Sequence, residues 1–277
     1  FKSLSLFIFT SLQSSIQREL DRFFASYNGN YLPEQYVTQS AFSQARLKIK
    51  PEAFKVLSDD CTDFFYEHYD FKKWNGFRLV AIDGSELMLP KNKETIKEYG
   101  EYTTNFMNKN IVLARLSKAF DVLNGITLDA RLSNKKTGEH SLANLHLEKL
   151  VEGDLLLYDR GYPSYDLFRN ALAAGCQFCA RVAVNNWSVS KRLVESGQKD
   201  IIAEIKPGYE LAKKYKKQGI DFKPITCRFI CVELKGGEKE VLITSLTDIE
   251  QYPHELFKRL YHLRWGVEES YKTDKHR

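Results

Sequence analysis

No apolar run in this chain is long enough to cross a bilayer. The run nearest the N-terminus extends only from Leu4 to Phe9, whereas a spanning helix needs about 20 apolar residues. No small-residue cleavage site follows it, so it is not read as a secretory leader; it reads as a helix packed by its apolar face. No membrane partner is expected. There is no glycine-rich loop of the kind that cradles nucleotide phosphates, which argues against ATP-driven chemistry. Internal repeats and low-complexity tracts are also missing. Five cysteines, an odd number with no evident framework, point to a reducing compartment, and the expected location is cytoplasmic. Cys176/Cys179 and Cys227/Cys231 are read as buried thiols in strands rather than as a zinc site. His140 and His146, near Glu139 and Glu148, are likewise not read as a metal site.

What is present is enough for a sizeable core. The chain has 277 residues, 43% hydrophobic and 28% charged, with a formal net charge of +5. This fits one main domain plus an appendage. The mild positive balance suits a polyanionic partner without requiring one. The chain begins with Phe1 and stops inside a helical pattern, so a piece of a longer protein is expected.

Residues 1–70 read as short helices. Apolar residues recur at Leu12, Ile16, Leu20 and Phe23, and a turn falls at Asn28-Gly29-Asn30. Thr38 is a plausible N-cap for QSAFSQARLKI, and Pro51 opens the next helix. Two readings stand side by side: a helix-turn-helix-like DNA reader or a helical cap.

Residues 71–184 switch to strands. RLVAIDGSEL is an apolar run ended by Asp83-Gly84, and two more strands meet at Asn124-Gly125, a hairpin signal. There follow a helix ending at Gly153, the strand DLLLY ended by Asp159, a helix stopped by Gly175 and the strand CQFCARVAV. The order predicts an α/β fold, a mixed sheet with helices on both faces. Residues 185–247 lack this rhythm and read as a β-rich insertion. Its lysine run Lys213–Lys217 is either a solvated helix face or a phosphate-binding surface. Residues 248–277 return to helix, read as continuous after Pro253.

Two aspartates share one local setting. Asp83 and Asp159 each end an apolar strand, and strand ends are where ligands meet an α/β sheet. Neighbouring carboxylates repel unless a cation lies between them, and hard oxygen donors suit Mg²⁺ or Mn²⁺. On the closing helix, Tyr261, Arg264, Glu268 and Lys275 fall within a sector of about 60° at about 100° per residue. Leu256, Leu260, Leu263 and Val267 occupy the neighbouring, packing sector. Trp265 lies off the polar sector and reads as packing. Periodicity alone leaves a solvated face with i,i+4 charge pairs as the alternative.

These motifs resemble a known family. Tyr-x2-Arg-x3-Glu-x6-Lys, at Tyr261, Arg264, Glu268 and Lys275, resembles the YREK signature of the IS-four branch of bacterial DDE transposases. AIDGSEL and LLLYDRGY resemble that family's two aspartate motifs, in the same order, and TQSAFSQAR resembles its N-terminal helical region. The resemblance implies an RNase H-like domain with a β-rich insertion before the last acid. It implies that Asp83, Asp159 and Glu268 hold two divalent ions, Mg²⁺ or Mn²⁺, for phosphoryl transfer on double-stranded DNA. Tyr261, Arg264, Lys275, Lys272 and Arg160 would contact that DNA. A homodimer on paired element ends, close to the bacterial nucleoid, is implied as well. A stand-alone nuclease on the same scaffold and a non-catalytic DNA-binding remnant are the competing readings.

Overall fold

The structure is a computed structural model that describes residues 2–10, 14–29, 36–104, 109–234 and 236–275. Asn30 of the expected turn and the last two residues lie outside these. The chain forms two compact units, residues 1–69 and 70–276.

The first unit contains α1 (Lys2–Ile8), α2 (Ile16–Tyr27), α3 (Gln39–Leu47) and α4 (Glu52–His68). The apolar N-terminal run lies in α1, whose Phe7 is buried with Leu20 and Phe42. The Phe7 ring meets Phe23 and Phe42 edge-on, at 5.4 and 4.9 Å between centroids. Thr38 caps α3, its hydroxyl accepting from the Ala41 N–H, which satisfies one of the donors that a helix start leaves open.

The second unit is a mixed sheet with flanking helices. Its strands are β1 (Arg78–Leu89), β2 (Tyr102–Thr104), β3 (Lys109–Asp121), β4 (Ile126–Asn134), β5 (Asp154–Tyr158), β6 (Gln177–Val182), β7 (Asp200–Ile205), β8 (Ile225–Glu233) and β9 (Lys239–Thr244). The helices are α5 (Lys93–Tyr99), α6 (Glu139–His146), α7 (Tyr165–Ala173), α8 (Ser188–Ser196), α9 (Tyr209–Lys217), α10 (Glu255–His262) and α11 (Trp265–Lys275). Along the sheet β3 lies beside β1, then come β5, β6, β9, β8 and β7, while β4 pairs with the far side of β3. β1, β3 and β4 are antiparallel neighbours, and β1, β5 and β6 run parallel. Three antiparallel strands are followed by two parallel ones, in the order expected from the sequence. The β3–β4 hairpin turns at Gly125, whose φ of 71° suits glycine.

β5 is buried over its whole length, as a strand covered on both faces must be. Its alternate residues serve the two faces. Leu155 and Leu157 join Leu79, Ala81, Cys179 and Leu242 under Phe257, Leu260, Val267 and Tyr271 of α10 and α11. On β6, the even-numbered Phe178 stacks on Phe168 of α7 at 4.0 Å.

Three expectations need correction. β1 does not stop at Asp83: its parallel pairing with β5 ends at Ile82↔Tyr158, but its antiparallel pairing with β3 continues to Leu89↔Val112. The helix before β5 ends well short of Gly153, with α6 closing at His146 and one 3₁₀ turn reaching Lys149; Gly153, at φ 92°, instead turns the chain into β5. The C-terminal helix is two helices, because i,i+3 bonds from Arg264 N to Tyr261 O and from Val267 N to Arg264 O tighten the backbone between them. Residues 185–247 also do more than add strands. β9 pairs antiparallel with β6, so the segment extends the same sheet, and the lysine run lies on the helix α9. No helix among the described residues is long and apolar enough to cross a membrane.

Arg228 ties this extension to α10. It is fully buried, with Nη2 2.5 Å from Asp200 Oδ2 and Nη1 donating to the Tyr252 carbonyl at 2.6 Å. Removing one partner of a buried ion pair strands the other. Arg228→Ala is therefore expected to cost about 3–5 kcal/mol, read as a lower urea midpoint in equilibrium unfolding.

Candidate active site

Side-chain alternation decides what faces α10 and α11. On β1, Leu79 and Ala81 point toward these helices, and so does Asp83. On β5 the series Leu155 and Leu157 continues to Asp159, one residue past the strand. On β6, Cys179 is followed by Arg181, and on β9, Leu242 is preceded by Glu240. Two acids that start 76 residues apart in sequence are thus delivered to one rim by strand parity and by the parallel pairing of β1 with β5.

The third acid arrives on α11. Glu268 Oε1 accepts from Arg264 Nη2 at 2.7 Å, and Arg264 Nη1 lies 4.0 Å from Asp83 Oδ2. Arg264 is only 3% exposed, and its Nε and Nη1 have no hydrogen-bond partner. Burial disfavours its charge, yet Glu268, Tyr261 and Asp159 together hold it ionised. The guanidinium is the cation among the acids.

The carboxyls respond differently. Burial pushes Asp83 up to about 6, against the Gly84 N–H and Arg264, and the charges of Glu268 and Asp159 push it the same way. Asp159 is also opposed by burial, but the Arg160 N–H, Arg264, Arg181 and the Tyr261 hydroxyl outweigh it and hold its carboxyl below the ordinary value. The contacts are direct: Tyr261 donates to Asp159 Oδ1 at 3.2 Å and Arg181 Nη2 at 2.9 Å. Gly84, next to Asp83, leaves room for Glu139, whose Oε1 would lie 3.4 Å from a Cβ there.

The other expected contacts divide. Lys275 reaches Ser85 Oγ at 2.7 Å, beside Asp83. Arg160 is exposed directly after Asp159. Lys272 pairs with Glu269 at 2.6 Å on the exposed side of α11, so its nearest charge is not one of the three acids. Trp265 is 49% exposed rather than packed, as its place nearly opposite the Leu256, Leu260, Leu263 and Val267 stripe requires; the Arg264 guanidinium lies 5.3 Å from its ring.

Sequence reading missed Arg181 and Glu240, which pair at 2.7 Å. A charged residue inside the apolar strand CQFCARVAV was the available signal. Arg181, Lys258, Arg259 and Arg264, together with the acids Glu240 and Glu255, are among the residues lining a groove of about 570 Å³ that adjoins Asp159 through Tyr261.

In donor chemistry the three carboxylates fit a hard divalent cation; the Asp83 carboxyl is raised chiefly by burial, with the charges of Glu268 and Asp159 adding to it. Among the described residues no three such side chains already form a ligand cluster, and Glu268 is paired with Arg264. The cysteine pairs form no metal cluster either: all are free thiols, with Cys176, Cys179 and Cys227 buried. His140 meets the Gly161 carbonyl, and His146 meets Asp129 and Ser117.

Residues 74–276 match a family described as Transposase DDE domain. The chain is 24% identical over 240 residues to the transposase InsG for insertion sequence element IS4 of Escherichia coli (strain K12), covering 87% of this chain and 53% of that protein. It thus spans about half the length of the curated relative it matches. Among solved structures, a cryo-EM structure of the piggyBac transposase synaptic complex with hairpin DNA is similar over 71% of this chain and 40% of that one, at 12% identity and a TM-score of 0.43.

The raised Asp83 carboxyl has a thermodynamic consequence. A carboxyl whose folded value lies above its unfolded one favours folding below the unfolded value, near pH 4, and loses that contribution as pH rises through about 6. In metal-free protein, Asp83→Asn is expected to gain about 1–3 kcal/mol at pH 7.5 and to lose that advantage near pH 4. Thermal melts across this range measure it.

Proposed function

Because the chain belongs to the Transposase DDE domain family, we propose that it is the catalytic core of an insertion-sequence transposase, cutting element-end DNA and joining it to a target. The observation that carries this reading is the meeting of Asp83, Asp159 and Glu268 around Arg264 at one end of the sheet. DDE transposases generally use divalent metal ions. Here Asp83, Asp159 and Glu268 would hold them, two Mg²⁺ or Mn²⁺ per site, after Glu268 releases Arg264. Bound ions supply an activated water or 3′-hydroxyl and stabilise the leaving oxygen.

The chain's own residues do the rest. Arg264, freed of Glu268, offers a planar fork to a phosphate, and Lys275 offers a point charge. Tyr261 and Arg181 both hold Asp159 through Oδ1, which would leave Oδ2 for an ion. Arg181 is shared between Asp159 and Glu240 and, after the Arg160 N–H and Arg264, helps hold that aspartate ionised. The groove beside Asp159, lined by Lys258, Arg259 and His262, would take the DNA strand next to the scissile phosphate, with Arg160 on its exposed margin. Lys272 is a peripheral contact at most. The lysines of α9 add a phosphate-binding surface, and the helices of residues 1–69 would bind duplex DNA. The enzyme would act as a dimer on paired ends, in the cytoplasm at the nucleoid.

A duplex with a free 3′-hydroxyl and a supercoiled plasmid test this. Joined products that need Mg²⁺ or Mn²⁺ are expected. Asp83→Ala and Glu268→Gln are each expected to lower their yield by at least about 10²-fold. Nicked plasmid without joined product would mean a nuclease. Activity that is unchanged in Asp83→Ala, or absent from every form, would sink the catalytic reading.

A further inference from the structure

We infer that the hydroxyl of Tyr271 is a positioning group that sets where Glu268 stands relative to Asp83, and so shapes the space in which a divalent ion is held. This rests on the metal site proposed above and extends it to a residue outside the ligand set.

Tyr271 lies on α11, three residues past Glu268. It is 5% exposed. Its hydroxyl donates to the main-chain carbonyl of Asp83 at 2.7 Å and lies 3.2 Å from that of Leu116. One bond therefore joins the helix that carries the third acid to the backbone of the first acid. Its ring lies under the Lys118 ammonium at 4.9 Å, and Lys118 also reaches Ser270 and Asp274 of the same helix. Packing alone would be satisfied by phenylalanine. A buried tyrosine hydroxyl needs a partner, and here the partner is the backbone of a candidate ligand.

The same carbonyl is braced from the other side. Ser117 Oγ of β3 lies 3.4 Å from it. Ser117 is itself 2.9 Å from His146 Nε2, and His146 Nδ1 is 2.8 Å from Asp129 Oδ2. Arg131 Nε donates to that same Asp129 oxygen at 2.6 Å. Ser117 and His146 have no exposed surface. This serine–histidine–aspartate row therefore meets no substrate; it stiffens β1 where Asp83 stands. With β1 held from one side, the Tyr271 bond fixes the position of α11 from the other. Partners one shell out from a metal typically alter its affinity by 10- to 100-fold.

Mn²⁺ titration of the full chain, followed by the electron paramagnetic resonance of free Mn²⁺, tests this. Tyr271→Phe keeps the ring and removes only the hydroxyl. It is expected to weaken Mn²⁺ binding roughly 10-fold, with metal-free affinity for duplex DNA unchanged. In a Glu268→Gln background the same substitution is expected to cause no further loss, because its effect passes through Glu268. Unchanged Mn²⁺ binding in Tyr271→Phe, with or without a lower Tm, would overturn the inference and leave the metal site standing. So would an equal loss in both backgrounds. Wild-type Mn²⁺ binding that survives Asp83→Asn would remove the metal-site reading, and this inference with it.

Discussion

Three carboxylates cannot share one rim without a positive charge among them. That constraint organises the second unit of this protein. Burial, with the neighbouring acids adding to it, raises the Asp83 carboxyl to about 6, while Asp159 is held below its ordinary value by the Arg160 N–H, Arg264, Arg181 and Tyr261. The buried Arg264 serves two acids at once. Taking a guanidinium out of water costs several kcal/mol unless it is well paired, so Arg264 and the acids depend on each other. In this arrangement a protein cation, Arg264, lies between Asp83 and Glu268.

Much of this was legible in the sequence, for physical reasons. Asp83 and Asp159 were found because an acid closing an apolar run breaks a pattern that buried strands otherwise keep. The sheet's antiparallel-then-parallel order followed from a hairpin at Asn124-Gly125 and from helices between the later strands. Glu268 and Arg264 were found as a helical pair, but periodicity could not distinguish them from surface charges. The resemblance to the DDE transposases did that, and the family match of residues 74–276 agrees with it.

The rest depended on tertiary pairing, which sequence spacing does not encode. The break between α10 and α11 comes from tightened turns around Arg264, and no proline or glycine cap precedes it. Trp265 was read as packing because it lies about 100° from Arg264, off the polar sector, but that position is also nearly opposite the leucine stripe, and the side chain is 49% exposed. Arg181 was overlooked because one arginine in a strand is ambiguous until β9 brings Glu240 beside it. Tyr271 drew no reading from the sequence, and only the β1 carbonyl opposite it reveals what its hydroxyl meets.

The antiparallel placement of β9 against β6 also sets the chain's direction of travel. β5 and β6 climb toward the acids, so β9 descends away from them and leaves the polypeptide at the foot of the sheet. There Tyr252 lies on Trp74 and Phe77, just before β1 begins. From that low starting point α10 can only ascend, meeting Asp159 with Tyr261 and then Asp83 with Arg264 before α11 brings in Glu268. A parallel β9 would have released the chain at the summit, with its next helix heading downhill and the last acid carried out of range.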